Sequence, residues 1–290
     1  MTSLLAPEFL ARLERLELRV RRMHSGERQG DTLSARRGPG TSFRGHRGYV
    51  AGDDPRFIDW NAFLRLDELV IKEFDAEVQP KVTILIDVSA SMTSSGGGKA
   101  DAARKLAAAL GWIVLARHGA VRVVPFPGSR SDTAFSGRAG ATAYLAHLDK
   151  LDGAKEGDLL ATAQSVFVAR RHPGVTLILS DWWDTRCFET GMAWLRQRGE
   201  IVEALHLYLP TETEPALSGL VELVDSESGR RTRAELSPSL LAKYREIVES
   251  HFAEASRTAR ALGVGYHRLD ASAETETLVL ETLRARALVR

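Results

Sequence analysis

The sequence predicts an α/β fold: an open, mostly parallel sheet with helices on both faces, preceded by an N-terminal extension of helix and strand. Three observations carry this. Short, continuous apolar runs such as Val82-Thr83-Ile84-Leu85-Ile86 and Val175-Thr176-Leu177-Ile178-Leu179 have the pattern of strands buried on both faces. These runs alternate with longer segments of helical periodicity, the signature of βα units. Both runs also end in acids, Asp87 and Asp181, at the strand edge where open α/β sheets bind ligands.

The elements follow in order. Residues 7–23 read as a helix, with Phe9, Leu10, Leu13, Leu16 and Val20 at helical spacing and Pro7 in the first turn. Residues 24–48 are rich in Gly and Arg and read as a loop with one short strand. Gly52-Asp53-Asp54-Pro55 is turn chemistry, Ile58 to Leu64 is apolar, and Leu69 to Phe74 reads as a strand. After Pro80 come strand 82–86, a Ser/Gly loop and a helix over 99–118 stopped by Gly119, then strand 121–126. Helices over 139–150 and 158–171, strand 175–179, helix 188–198 and strand 201–209 continue the alternation. A strand pair over 220–236 turns at Ser-Gly-Arg-Arg. Ser237-Pro238 opens a long helix that Gly263 closes, and strand 264–269 and a last helix from 274 complete the chain. The expected division is 1–77 as the extension and 78–290 as the main domain.

Composition excludes several function classes. The 290 residues carry 39 basic and 38 acidic side chains, so the overall field asks for neither nucleic acid nor an anionic membrane. The arginine-rich stretch Arg36, Arg37, Arg44, His46 and Arg47 is read as a surface loop pairing with nearby acids, with a nucleic-acid or phosphate contact as the alternative. The single cysteine, Cys187, excludes an internal disulfide and suits a reducing cytoplasm. No run of about eighteen apolar residues is present, so no membrane-spanning helix is expected.

The segment Asp87-Val88-Ser89-Ala90-Ser91 carries the chemistry. In an extended loop these alternating residues lean the same way, giving one carboxylate and two hydroxyls. Such an all-oxygen set suits a hard cation such as Mg2+, and Asp181 reaches the same ion if its strand is the neighbour. The alternative is a loop of capping serines without metal. Gly96-Gly97-Gly98-Lys99 is not a phosphate loop, because Thr93 and Ala100 stand where Gly and Ser or Thr are required. No Gly-x-Ser-x-Gly elbow is present. His118, His147, His172, His206 and His251 lack metal-ligand spacing and read as surface or satisfied core residues.

Asp87-x-Ser89-x-Ser91 between a buried strand and a helix resembles the metal-ion-dependent adhesion site of von Willebrand factor A domains. Upstream, Tyr49-x-x-Gly52-Asp53-Asp54-Pro55-Arg56-x-Ile58-Asp59-Trp60, continuing through Arg65, Val70 and Glu73-Phe74-x-x-Glu77, is similar to the signature of the domain-of-unknown-function 58 family. The resemblance spans residues 34–185. It implies a bacterial or archaeal, non-enzymatic binding protein that accompanies a MoxR-type AAA+ ATPase as adaptor or co-chaperone for client proteins. It also implies a metal set of Asp87, Ser89, Ser91 and Asp181, taking Mg2+, Mn2+ or Ca2+. Relatives often carry transmembrane helices; lacking one, this chain is expected in the cytoplasm. Gly157 stands in the slot where the adhesion site normally has threonine, and the nearest hydroxyl is Thr162. Either water completes the shell or metal affinity is lost. The rival readings are therefore a metal-free pseudo-site and a metal-dependent phosphohydrolase. Asp53, Asp54, Arg56, Asp59 and Trp60 read as a self-bonded structural turn, with Trp60 packed beneath.

Overall fold

The structure, a computed structural model, describes residues 4–18, 42–50, 53, 55–75, 81–94, 98–127, 133–151, 158–168, 173–183, 185–226 and 228–290. The chain divides into two compact units, Arg22–Gln79 and the combination of Met1–Arg21 with Pro80–Arg290. The N-terminal helix falls in the larger unit.

In the larger unit, α1 (Pro7–Leu13) buries Phe9 and Leu13. It is shorter than the predicted 7–23. The chain turns after Leu13, and Glu17 exchanges both backbone hydrogen bonds with Arg290 (2.8 and 2.9 Å), which pulls the segment out of helix. Leu18 pairs with Val289 in an isolated bridge, and Val20 lies outside the described residues. In the smaller unit, β1 (Ser42–Gly48) and β2 (Val70–Asp75) form an antiparallel pair flanking α2 (Trp60–Leu66) in sequence.

The main sheet begins with β3 (Lys81–Asp87), followed by the short α3 (Ala90–Thr93) and α4 (Gly98–Ala116). Next come β4 (Ala120–Phe126), β5 (Thr133–Ser136), α5 (Ala141–Leu148), α6 (Leu159–Phe167) and β6 (Val175–Ser180). Then follow α7 (Thr185–Gln197), β7 (Ile201–Tyr208), α8 (Pro210–Thr213) and the hairpin β8 (Gly219–Val224) and β9 (Arg231–Leu236). The chain ends with α9 (Pro238–Ala261), β10 (Gly265–Asp270), α10 (Thr275–Thr277) and a π-helical turn over Leu278–Leu283. The six-stranded sheet has the order β10-β7-β6-β3-β4-β5, parallel except for β5. The edge strand β5 is absent from the sequence prediction; in Thr-Ala-Phe-Ser the one large apolar residue is Phe135, too little for a periodic signal.

Alternate strand residues feed two cores. Val82, Ile84 and Ile86 of β3 face one with α1, α4 and α5, while Leu85 faces the other with α6, α7 and α9. Helix α4 is buried nearly all round, as a central element must be. Its predicted stop needs one correction: the left-handed residue is His118 (φ 59°), and Gly119 then returns its N–H to Val114 O at 3.0 Å. At the end of α9 the stop is as predicted, with Gly263 at φ 68° and the Ser237 side chain capping the start. The decisive feature is where the strand order reverses. The chain leaves β3 for β4 on one side and later returns to β6 on the other. The carboxyl ends of β3 and β6 therefore mark the switch point, the place where open α/β sheets bind ligands.

Candidate functional site

The register places Ile86 opposite Leu179, so the next residues, Asp87 and Ser180, meet at that switch point. The Ser180 hydroxyl donates to Asp87 Oδ2 in a short hydrogen bond, and Ser89 N donates to Asp87 Oδ1 at 2.9 Å. Asp87 is 5% exposed. Burial pushes its carboxyl up to about 6, against the opposing hydrogen bonds from Ser180 and Ser89, and the nearby Asp181 charge pushes the same way as burial.

Ser89 occupies the N-cap position of α3 but makes no capping bond with its side chain. Its Oγ lies 3.1 Å from Ser91 Oγ instead. Ser89 is therefore not a capping serine here. Asp87, Ser89 and Ser91 come together, although Ser91 lies in α3 and not in the extended loop that the alternation assumes.

Asp181 also reaches the edge, 3% exposed, but is engaged differently. Lys99 Nζ donates to Asp181 Oδ2 at 2.8 Å and to Glu212 Oε1 at 2.5 Å. Lys99 is fully buried at 1% exposure in the first turn of α4. Burial alone lowers its pKa, and the Asp181 and Glu212 carboxylates more than offset this, so the net shift is upward. Glu212 is fixed in turn: Oε2 accepts from Leu209 N at 2.9 Å, and its carbonyl accepts from Tyr244 Oη at 2.6 Å.

Behind the acids lies an aromatic layer. Trp182 takes a left-handed backbone (φ 55°), rare for a bulky residue, and its N–H donates to Ser180 Oγ at 3.1 Å. Its ring stacks on Phe188 at 4.8 Å and on His206 at 5.9 Å. His206 is pushed down to about 3, chiefly by burial, and shares a 2.8 Å hydrogen bond with the Tyr266 hydroxyl. It is the satisfied core histidine the sequence predicted, although it does pack beside His251 with ring centroids 6.1 Å apart.

The donor set fits a hard cation in one half. Asp87, Ser89 and Ser91 supply oxygens alone, as Mg2+ prefers. In the other half Asp181 already has a cation, Lys99. Among the described residues no three His, Cys, Asp or Glu side chains gather at metal distance, so any such site leans on its hydroxyls. Gly157 lies outside the described residues; Thr162 is buried inside α6, as the sequence suggested. Sequence reasoning missed Ser180, Lys99 and Glu212. For Lys99 a signal existed: it lies on the stripe that continues through Ala102, Ala103 and Leu106, so a lysine there has to find carboxylates inside.

The upstream signature is structural in the smaller unit. Arg47 grips Asp53 with two hydrogen bonds of 2.7 and 2.8 Å, and Val50 N adds a third at 3.0 Å. Asp59 caps α2, accepting from Asn61 N and Ala62 N at 3.0 and 3.2 Å, and holds His46 Nε2 at 2.8 Å. Arg47 and His46 thus pair with nearby acids, as read. Trp60 is not packed beneath the turn; it is 58% exposed beside Phe63. Asp54 lies outside the described residues.

Fold and site together define an open, mostly parallel α/β domain with two buried acids at its switch point. Residues 45–254 match the family described as "Protein of unknown function DUF58", and the chain belongs to that family. Similar proteins include uncharacterized proteins of Mycobacterium bovis and Mycobacterium tuberculosis, each 26% identical over 89% of this chain and 83% of theirs. Two solved structures show slight likeness. One is an aerotolerance-related membrane protein from Bacteroides fragilis (TM-score 0.42, 14% identity, 71% of this chain and 99% of that one). The other is the conserved hypothetical protein BatB from Bacteroides thetaiotaomicron (TM-score 0.40, 13% identity, 72% and 98%). Among the described residues no helix is long and apolar enough to cross a membrane.

Proposed function

We propose that this chain is a non-enzymatic protein-interaction module that docks partners at the carboxyl edge of its sheet. The observation that carries this reading is the convergence of Asp87, Ser89 and Ser91, with hydroxyls 3.1 Å apart, at the strand-order switch. Asp87, Ser89 and Ser91 would hold Mg2+, or Mn2+ or Ca2+ in its place. A cation bound there supplies an open coordination position that accepts a carboxylate from the partner. On the resemblance to von Willebrand factor A domains and the family's associations, the partner is a MoxR-type AAA+ ATPase. The chain then acts in the cytoplasm as its adaptor or co-chaperone toward client proteins.

Two experiments test this. Calorimetric titration of chelator-stripped protein with Mg2+ and Mn2+ should give a saturable signal that Asp87→Ala abolishes. Tagged wild type and Asp87→Ala, drawn from native extract with Mg2+ present, should differ in recovery of the ATPase. Equal recovery by both would remove the metal as the contact.

A second reading is favoured by a specific contact. Lys99 already neutralises Asp181, so the edge can serve as a metal-free pseudo-site with partners bound by its surface. No titration signal together with undiminished partner recovery would establish that version. A metal-dependent phosphohydrolase has less support, because the carboxylate and ammonium near Asp87, those of Asp181 and Lys99, are engaged with each other. Phosphoester turnover that disappears in Asp87→Ala would revive it.

A further inference from the structure

A cavity of about 540 Å³ opens along the edge strand β10, between the end of α9 and the C-terminal segment. It is lined by Glu203, Arg260, Tyr266, His267, Arg268 and Arg286 among others, and none of the residues at the carboxyl edge contributes to it. Apart from Glu203, these residues lie C-terminal to the family-matched segment 45–254.

The charge is lopsided, with three guanidiniums against one carboxylate. That carboxylate is already committed: Glu203 Oε2 bonds His267 Nε2 at 2.8 Å. Gly265 makes this possible, since a Cβ there would sit 1.7 Å from Glu203 Oε2. His267 is 7% exposed, and its Nδ1 has no partner. Arg268 is held as a wall, clamped to Glu249 at 3.1 and 3.2 Å and laid over Phe252 with its guanidinium carbon 3.6 Å from the ring centroid. The side chains of Arg260, in the last turn of α9, and Arg286 have no hydrogen-bond or ion-pair partner among the described residues. Two uncommitted guanidiniums thus face one concavity from different elements, beside the aromatic ring of Tyr266.

We infer that this cavity is a binding site for a small organic phosphate. Guanidinium forks match phosphate oxygens in pairs, and two from separate elements can grip one phosphate from two sides. The volume falls within the range of about 300–1,000 Å³ usual for small-molecule sites, far more than a bare phosphate fills. Tyr266 and Leu288 give the organic part an apolar wall. The inference is independent of the reading of the Asp87 edge.

The test is calorimetric titration of the full chain with inorganic phosphate, ribose 5-phosphate, adenosine 5′-monophosphate and citrate. The expected result is saturable binding of at least one phosphate ester with a Kd below about 1 mM. Arg260→Ala/Arg286→Ala should weaken it at least about tenfold, with thermal melts confirming that these exposed positions leave the fold intact. Arg231→Ala on the β8–β9 hairpin, which does not line the cavity, should change nothing. Absence of binding by any ester, binding undiminished in the double variant, inorganic phosphate equalling the esters, or citrate exceeding them would each overturn the inference.

Discussion

Two buried acids end neighbouring strands of this sheet, and their surroundings are opposite. Asp181 meets an ammonium, Lys99, which also holds Glu212. Asp87 meets hydroxyls and a backbone N–H but, among the described residues, no cation. Hydrogen bonds offset part of the cost of burying a charge; an opposite charge offsets more, provided the geometry is good. Asp181 is therefore a structural tie between α4, β6 and α8. Asp87 is a carboxylate kept at a cost to stability, and such costs concentrate where a protein binds something.

The largest expected effect breaks the paired side. Lys99→Met removes one cation from two carboxylates and should cost on the order of 3–5 kcal/mol, as for other buried pairs stripped of one partner. Urea unfolding of wild type and variant measures it. A loss under about 1 kcal/mol, the range of exposed pairs, would mean that Asp181 and Lys99 are solvated and the contrast with Asp87 is false.

The unpaired side should respond with the opposite sign. In chelator-treated protein, Asp87→Asn keeps the shape and removes the buried charge. A carboxyl raised from 3.8 to about 6 is destabilising at neutral pH, because the unfolded chain ionises it more easily. The variant should gain about 1–3 kcal/mol at pH 7.5. The gain should shrink below pH 6, where folded wild type takes up the proton. Destabilisation at pH 7.5 would show that Asp87 is held by contacts worth more than its charge costs.

Cation binding should narrow the difference between the acids by giving Asp87 its missing counter-charge. Mg2+ at about ten times its Kd should add roughly 1.4 kcal/mol to the stability of wild type and nothing to Asp87→Ala. Thermal melts with Mg2+ and with chelator read this directly. Equal shifts in both proteins would place any bound cation elsewhere.

How much of this was legible depends on what each feature needs. Strands β3 and β6 are continuous apolar runs, and their hydrophobicity alone assigns them. Their adjacency, which brings Asp181 beside Asp87, is a matter of topology that local pattern only permits. Asp87, Ser89 and Ser91 were readable because they lie within five residues, from the end of β3 to the first turn of α3. Ser180, Lys99 and Glu212 were not, because their roles depend on contacts across 93, 82 and 113 residues. The exposed Trp60 reverses the expectation of packing, since α2 buries its cap at Asp59 and presents the tryptophan outward. Similarly, β5 was invisible because an edge strand with one covered face needs few apolar residues.

The smallest effect comes from a buried polar atom that lacks a partner but carries no charge at neutral pH. His147 on α5 lies against Phe135, with ring centroids 5.5 Å apart, and its Nε2 has no hydrogen-bond partner. Burial pushes its pKa below the ordinary value. Above about pH 6.5 both folded and unfolded forms are neutral, and the residue adds no pH dependence. Below that, the unfolded chain takes up the proton first, so stability falls as pH falls. His147→Phe removes the titration and should reduce the loss between pH 7.5 and pH 5 by under about 1 kcal/mol, well below the changes at Lys99 and Asp87. Melting curves of both proteins at the two pH values decide the matter. An identical loss in wild type and variant would mean that this imidazole reaches solvent when protonated. The cost of burial at this imidazole would then be too small to measure, in contrast to Asp87, where a formal charge without a counter-charge is involved.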